Sequence, residues 1–93
     1  MKVLLVGSGG REHALGRKLT AGPTPVELFA APGSDALAEL GTCLPLAAED
    51  LEGLTRWCEQ ARPDLVVVGP EAPLVAGLAD AIRSLGIPVF GHG

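Results

Sequence analysis

The chain opens with Val3-Leu4-Leu5-Val6, a run with no polar residue to face water, and then places three glycines in the next four positions, Gly7-Ser8-Gly9-Gly10. An extended segment without polar alternation must be covered on both sides, as in a central strand of a parallel sheet. The glycines allow a tight turn straight into a helix. A second segment of the same kind, Asp64 to Val68, runs into Gly69-Pro70. Strands of this kind require helices above and below them. The expected fold is therefore a three-layer, Rossmann-like α/β domain, a parallel sheet of four to five strands with helices on both faces.

Apolar runs predict strands at Lys2 to Val6, Val26 to Ala31, a weaker one near Thr42 to Leu46, Asp64 to Val68, and Val89-Phe90. Helical patterns alternate with them. Arg11 to Ala21 carries Ala14, Leu15 and Leu19 on one face and is stopped by Gly22-Pro23. Glu49 to Ala61 sets Leu51, Leu54, Trp57, Cys58 and Ala61 at helical spacing, and Arg62-Pro63 ends it. A third helix, Leu74 to Leu85, buries Val75, Leu78, Ala79 and Ile82 and closes at Gly86. Trp57 lies in an apolar stripe and is read as core rather than as a ligand platform. Right-handed crossovers put the first and fourth strands side by side, with a crevice at their C-terminal ends.

A chain of 93 residues with 47% hydrophobic content can bury one core, so a single domain is expected and a complete ATP-dependent enzyme will not fit. Seven Lys and Arg against eleven Asp and Glu give a net charge of -4 with no basic stripe, which argues against nucleic acid as a partner. The opening apolar run is too short for a membrane span or a signal-peptide core, so a cytoplasmic protein with no membrane partner is expected. Cys43 and Cys58 have no CxxC spacing and no suitably spaced His. They are expected to be small buried hydrophobes, forming neither a disulfide nor a metal site.

The loops that leave the first and fourth strands carry the unusual chemistry. Gly7-Ser8-Gly9-Gly10-Arg11-Glu12-His13 offers backbone N-H groups and the positive end of a helix dipole to a phosphate or carboxylate. Arg11 adds a bidentate cation, while Glu12 and His13 offer groups suited to hydroxyls or an amine. The plainer reading is a tight turn followed by a solvated first helical turn. Gly69-Pro70-Glu71-Ala72-Pro73-Leu74 holds one carboxylate between two prolines, either to select amine or hydroxyl donors or simply as a glutamate at a helix start. An anion loop beside a rigid carboxylate suits a phosphorylated sugar with an amino or hydroxyl group. Pro32-Gly33-Ser34 lies on the same sheet edge, as a further pocket wall or as an ordinary turn with a helix cap at Ser34. His92 receives no role.

Three other classes fit less well. A dinucleotide fingerprint would finish with Gly or Ala at position 12, where the chain has Glu12, and would end the second strand on an acid, where the chain has Ala30-Ala31-Pro32-Gly33. A P-loop would need Lys-Ser or Lys-Thr after the glycines. A receiver-like signalling module would need acidic residues after the first strand and an Asp ending the third, and Val6-Gly7 and Leu46-Ala47-Ala48 supply neither.

The string from Met1 to Leu15, with Gly7-Ser8-Gly9-Gly10-Arg11-Glu12-His13 at its centre, resembles the opening of the glycinamide ribonucleotide synthetase family. Asp64 to Leu78, containing Gly69-Pro70-Glu71-Ala72-Pro73-Leu74, resembles that family's fourth strand and following loop, and Ala31-Pro32-Gly33 its second-strand turn. The resemblance implies the N-terminal substrate-binding, or pre-ATP-grasp, domain of a ligase. Such a ligase joins glycine to 5-phosphoribosylamine, through an acyl phosphate made with ATP, in de novo purine biosynthesis. ATP and magnesium, or manganese, would bind in the ATP-grasp portion that follows, so the implied partners here are the sugar phosphate and that portion of the same parent chain. Neither cofactor nor catalytic residues are expected within these residues, and the chain alone should be inactive. Carried over, Gly7 to His13 would hold the ribose phosphate end, with Gly69, Pro70 and Glu71 on the amino-sugar side and Pro32 and Gly33 at the wall. Other ATP-grasp ligases and carboxylases begin similarly. The family continues Phe-Gly-Pro where this chain has Phe90-Gly91-His92-Gly93, so the last two residues read as an expression scar.

Overall fold

The computed structural model describes residues 1–70, 72 and 77–91. Strands β1 (Lys2–Gly7), β2 (Glu27–Pro32), β3 (Thr42–Cys43), β4 (Leu65–Val68) and β5 (Val89–Gly91) form one sheet. Their spatial order is β3-β2-β1-β4-β5, and all four pairings are parallel. The expected doubly wound arrangement is therefore present, with β1 and β4 adjacent and Val6 opposite Val68. Every strand leaves the sheet at the same edge, which gathers the loops that follow.

Among the described residues four helices connect the strands: α1 (Gly10–Thr20), α2 (Asp35–Ala38), α3 (Leu51–Ala61) and α4 (Leu78–Arg83). Helix α3 starts at Leu51, two residues later than the expected Glu49, because the Asp50 carboxylate accepts the Gly53 N-H at 2.9 Å and so acts as the cap. It ends where Arg62 takes a left-handed φ of 52° and its N-H reaches the Cys58 carbonyl at 2.9 Å. The expected cap at Ser34 is realised: its hydroxyl accepts the Leu37 N-H at 3.2 Å and opens α2, a turn too short to register as a periodic pattern. Strand β3 is shorter than expected because Leu44 makes the last ladder bond, to Ala30 at 2.7 Å, and the next N-H on that side, of Leu46, turns back to the Leu44 carbonyl at 2.8 Å. The expected third helix is described from Leu78 on; Leu74 and Val75 lie outside the described residues.

The sheet divides the core in two. On one face Leu4, Val6, Ala31, Val66 and Val89 pack with Leu54 and Cys58 of α3 and Leu78 and Ile82 of α4. Phe29 and Trp57 join this side with their ring centroids 5.1 Å apart, which makes Trp57 a packing residue as its spacing indicated. On the other face Val3, Leu5, Leu28, Ala30 and Leu37 pack against Leu15 and Leu19 of α1. One burial expectation needs correction, that for Cys43, and the apolar stripes of α1 and α3 are unevenly covered. Ala14 is exposed and Leu15 and Leu19 only half-buried, because α1 turns Glu12 and Gly16 inward instead. Leu51 is 37% exposed, being the first residue of its helix. Cys43 is half-buried on the short outer strand, whereas Cys58 is fully buried and its thiol is pushed up to about 11 by loss of solvation.

Candidate functional site

The site is built at the C-terminal ends of β1, β2 and β4. Two backbone hydrogen bonds join the departing chains, Gly33 N-H to Gly7 O at 3.1 Å and Gly69 N-H to Val6 O at 2.9 Å, and a third, Ala72 N-H to Gly69 O at 3.1 Å, turns the last of them. Gly7 takes a φ of 141° and Gly33 one of 77°, both regions that favour glycine, which explains their presence at the two turns. A side chain on Gly33 would also fall on the Cys43 sulfur. The Gly7 loop, the Pro32-Gly33 turn and the Gly69-Pro70 turn therefore share one edge of the sheet. Glu71, the stiff carboxylate of the sequence reading, lies outside the described residues.

Within the glycine-rich loop the expected residues divide by exposure. Ser8, Gly10 and Arg11 are exposed and Gly9 and His13 half-buried, while Gly7 is buried. Glu12 is 1% exposed and is the only buried polar or charged residue among those described. Its Oε1 accepts the Gly9 N-H at 3.2 Å, and the His13 N-H donates to Gly9 O at 3.1 Å, which starts α1. Of the four N-H groups that a helix start leaves without an intrahelical acceptor, that of Gly9 is thus occupied by protein. The positive end of the helix dipole lies behind this start of α1, and such an arrangement can hold an anion.

Beside the loop, an open groove of about 510 Å³ runs between α1 and the outer half of the sheet. Arg11, Leu15, Lys18, Val67, Pro70 and Phe90 line it, apolar at the base with cations at the rim. Phe90 is 65% exposed there. Sequence reasoning missed this groove; the signal was Phe90 itself, an aromatic residue in a short edge strand. Among the described residues no three His, Cys, Asp or Glu side chains gather where they could hold a metal, and no helix is long and apolar enough to cross a membrane.

A doubly wound parallel sheet, with a glycine-rich turn at the crevice where the strand order reverses, defines the Rossmann-like class of α/β domains. Within that class the chain belongs to the family described as phosphoribosylglycinamide synthetase, N domain, whose model matches residues 1–93. It is 52% identical over 91 residues to a phosphoribosylamine-glycine ligase of Rhizobium meliloti and 50% identical over 91 residues to one of Streptomyces coelicolor. In each case the match covers 98% of this chain and 22% of the relative. A trifunctional purine biosynthetic protein, adenosine-3, of Drosophila melanogaster is 43% identical over 97 residues, covering 99% of this chain and 7% of its own length. The chain thus spans about a fifth of the length of the bacterial relatives it matches.

Proposed function

We propose that this chain is the N-terminal, substrate-binding pre-ATP-grasp domain of a cytoplasmic ligase that joins glycine to 5-phosphoribosylamine, giving glycinamide ribonucleotide in purine biosynthesis. The observation that carries the reading is the family match over residues 1–93, together with the meeting of the Gly7 loop and the Gly69 turn at one strand edge. In this reading the N-H groups of Gly10 and Arg11 and the Arg11 guanidinium receive the ribose phosphate. Ser8 and His13 stand close enough in sequence to reach sugar hydroxyls. Pro32 and Gly33 form the wall beside the first loop, and Gly69, Pro70 and Glu71 the amino-sugar side.

Catalysis of such a condensation depends on holding an amine against an activated carboxylate, so the contribution of this domain is positioning. ATP and magnesium, or manganese, would supply the activation and would be held by the ATP-grasp domain that follows in the parent chain. The domain alone is expected to bind but not to turn over. Titrating it with glycinamide ribonucleotide should shift the amide resonances of Gly10, Arg11 and Gly69, and Arg11→Ala should weaken binding by about tenfold or more. Unchanged spectra at millimolar ligand, or equal binding by the Arg11 variant, would remove the assignment.

A further inference from the structure

A glutamate at the third position of a helix ordinarily reaches back through solvent to its cap. Glu12 does so from inside the protein, at 1% exposure. The space it fills lies between the ends of the two central strands. A Cβ on Gly7 at the end of β1, or on Gly69 just after β4, would collide with the Glu12 side chain. Gly7 has a positive φ that already selects glycine, but Gly69 does not. At Gly69 the obstacle to a side chain is Glu12, since its Cγ, Cδ and Oε2 are the three nearest atoms to an added Cβ. One carboxylate side chain therefore touches both loops while taking a backbone N-H of the first.

We propose that Glu12 is a positioning residue that fixes the glycine-rich loop against the Gly69 turn, and that it is not itself a contact to the sugar phosphate. This rests on the functional reading above only for the identity of the ligand. By occupying the Gly9 N-H, Glu12 ties down the bend of the loop, and by filling the gap it sets how far apart the two walls of the crevice stand. The absent third small residue of a dinucleotide fingerprint is explained in the same way. A small residue at position 12 would leave the space between Gly7 and Gly69 empty, whereas the glutamate fills it.

Four variants of this chain test the idea: Gly69→Ala, Glu12→Ala, the two together, and Glu12→Gln as the conservative replacement. In urea unfolding, Gly69→Ala should lower the folding constant by at least about tenfold more in the native background than in Glu12→Ala, since the clash disappears with the side chain. Amide exchange of Gly9 should be slow in the native chain, fast in Glu12→Ala and slow again in Glu12→Gln, whose amide oxygen can accept the same bond. Binding of glycinamide ribonucleotide should fall about tenfold or more in Glu12→Ala and be restored in Glu12→Gln. Additive costs in the urea series, or Gly9 exchange indifferent to Glu12, would overturn the structural role. Loss of binding in Glu12→Gln as large as in Glu12→Ala would show a charge read directly by ligand and overturn the positioning claim. If the native chain fails to bind, the functional reading falls while the urea and exchange results still decide what Glu12 does.

Discussion

Strands β4 and β5 have two different faces. Toward α3 and α4, Val66 and Val89 are buried in the larger of the two core clusters, with Leu54 and Ile82 closing over them. Toward α1, Leu65 and Val67 are only half-buried and Phe90 is 65% exposed, because α1 and α2 sit over β1 and β2 and leave the outer half of that face to the groove. The same strands are thus core on one side and surface on the other. Alternate residues a single position apart should contribute unequally to stability, since the energy follows the apolar area removed from water rather than the residue type.

The comparison can be broken most directly at Leu54, which is fully buried on the closed face. Leu54→Ala should cost about 3 kcal/mol in urea unfolding, from lost transfer energy and the cavity left behind. A loss below about 1 kcal/mol would mean that the closed face is looser than its burial implies.

Cys58, on the same face, gives a pH test. Its folded pKa is raised to about 11 from 9.0 by burial, so the unfolded chain loses the thiol proton first. Stability is then fully present below pH 9 and falls as pH climbs from there toward 11, by about 2 kcal/mol. Cys58→Ala should remove that part of the alkaline loss, measured as the urea midpoint at both ends of the window. Cys43, half-buried, should react with alkylating reagents well before Cys58 does in the folded protein.

A finer comparison uses neighbours on one strand. Val66→Ala should cost about 2 kcal/mol and Val67→Ala about 1 kcal/mol, a difference readable in paired melts, because only the first is sealed from water. The smallest effect belongs to Phe90, where Phe90→Ser should move stability by less than about 0.5 kcal/mol and reduce binding of an apolar dye to the groove. A large loss of stability at Phe90 would show that the open face is closed in solution.

Much of this arrangement is legible in the residue order, and the reasons for what is not are physical. The order of strands and the meeting of the first and fourth follow from unbroken apolar runs and from handedness, which act through the backbone and need no knowledge of partners. Ser34 and Arg62-Pro63 are visible because caps and stops are local. Helix α2 is hidden because four residues carry no periodicity, and the length of β3 because it depends on where the Leu46 N-H leaves a ladder that other strands build. The burial of Glu12 is the instructive omission. Sequence gives its charge and suggests a ligand, but its burial is decided by two glycines 62 positions apart, Gly7 and Gly69, that come together only in three dimensions. The half-open face escapes for a related reason: Val67 and Phe90 look like core residues until the helix positions are known.

The hydrogen bond from the Lys2 N-H to the Asp64 carboxylate, 2.7 Å long across 62 residues, marks where β1 finds β4. A chain emerging from a ribosome could pair β1 with β2 early, but the middle of the sheet would stay unzipped until two-thirds of the domain had been made. Closing so long a loop is slow and brings little reward before the last strands arrive. Shortened versions ending before Leu65 should therefore remain unstructured, with no half-built crevice for a ligand to rescue.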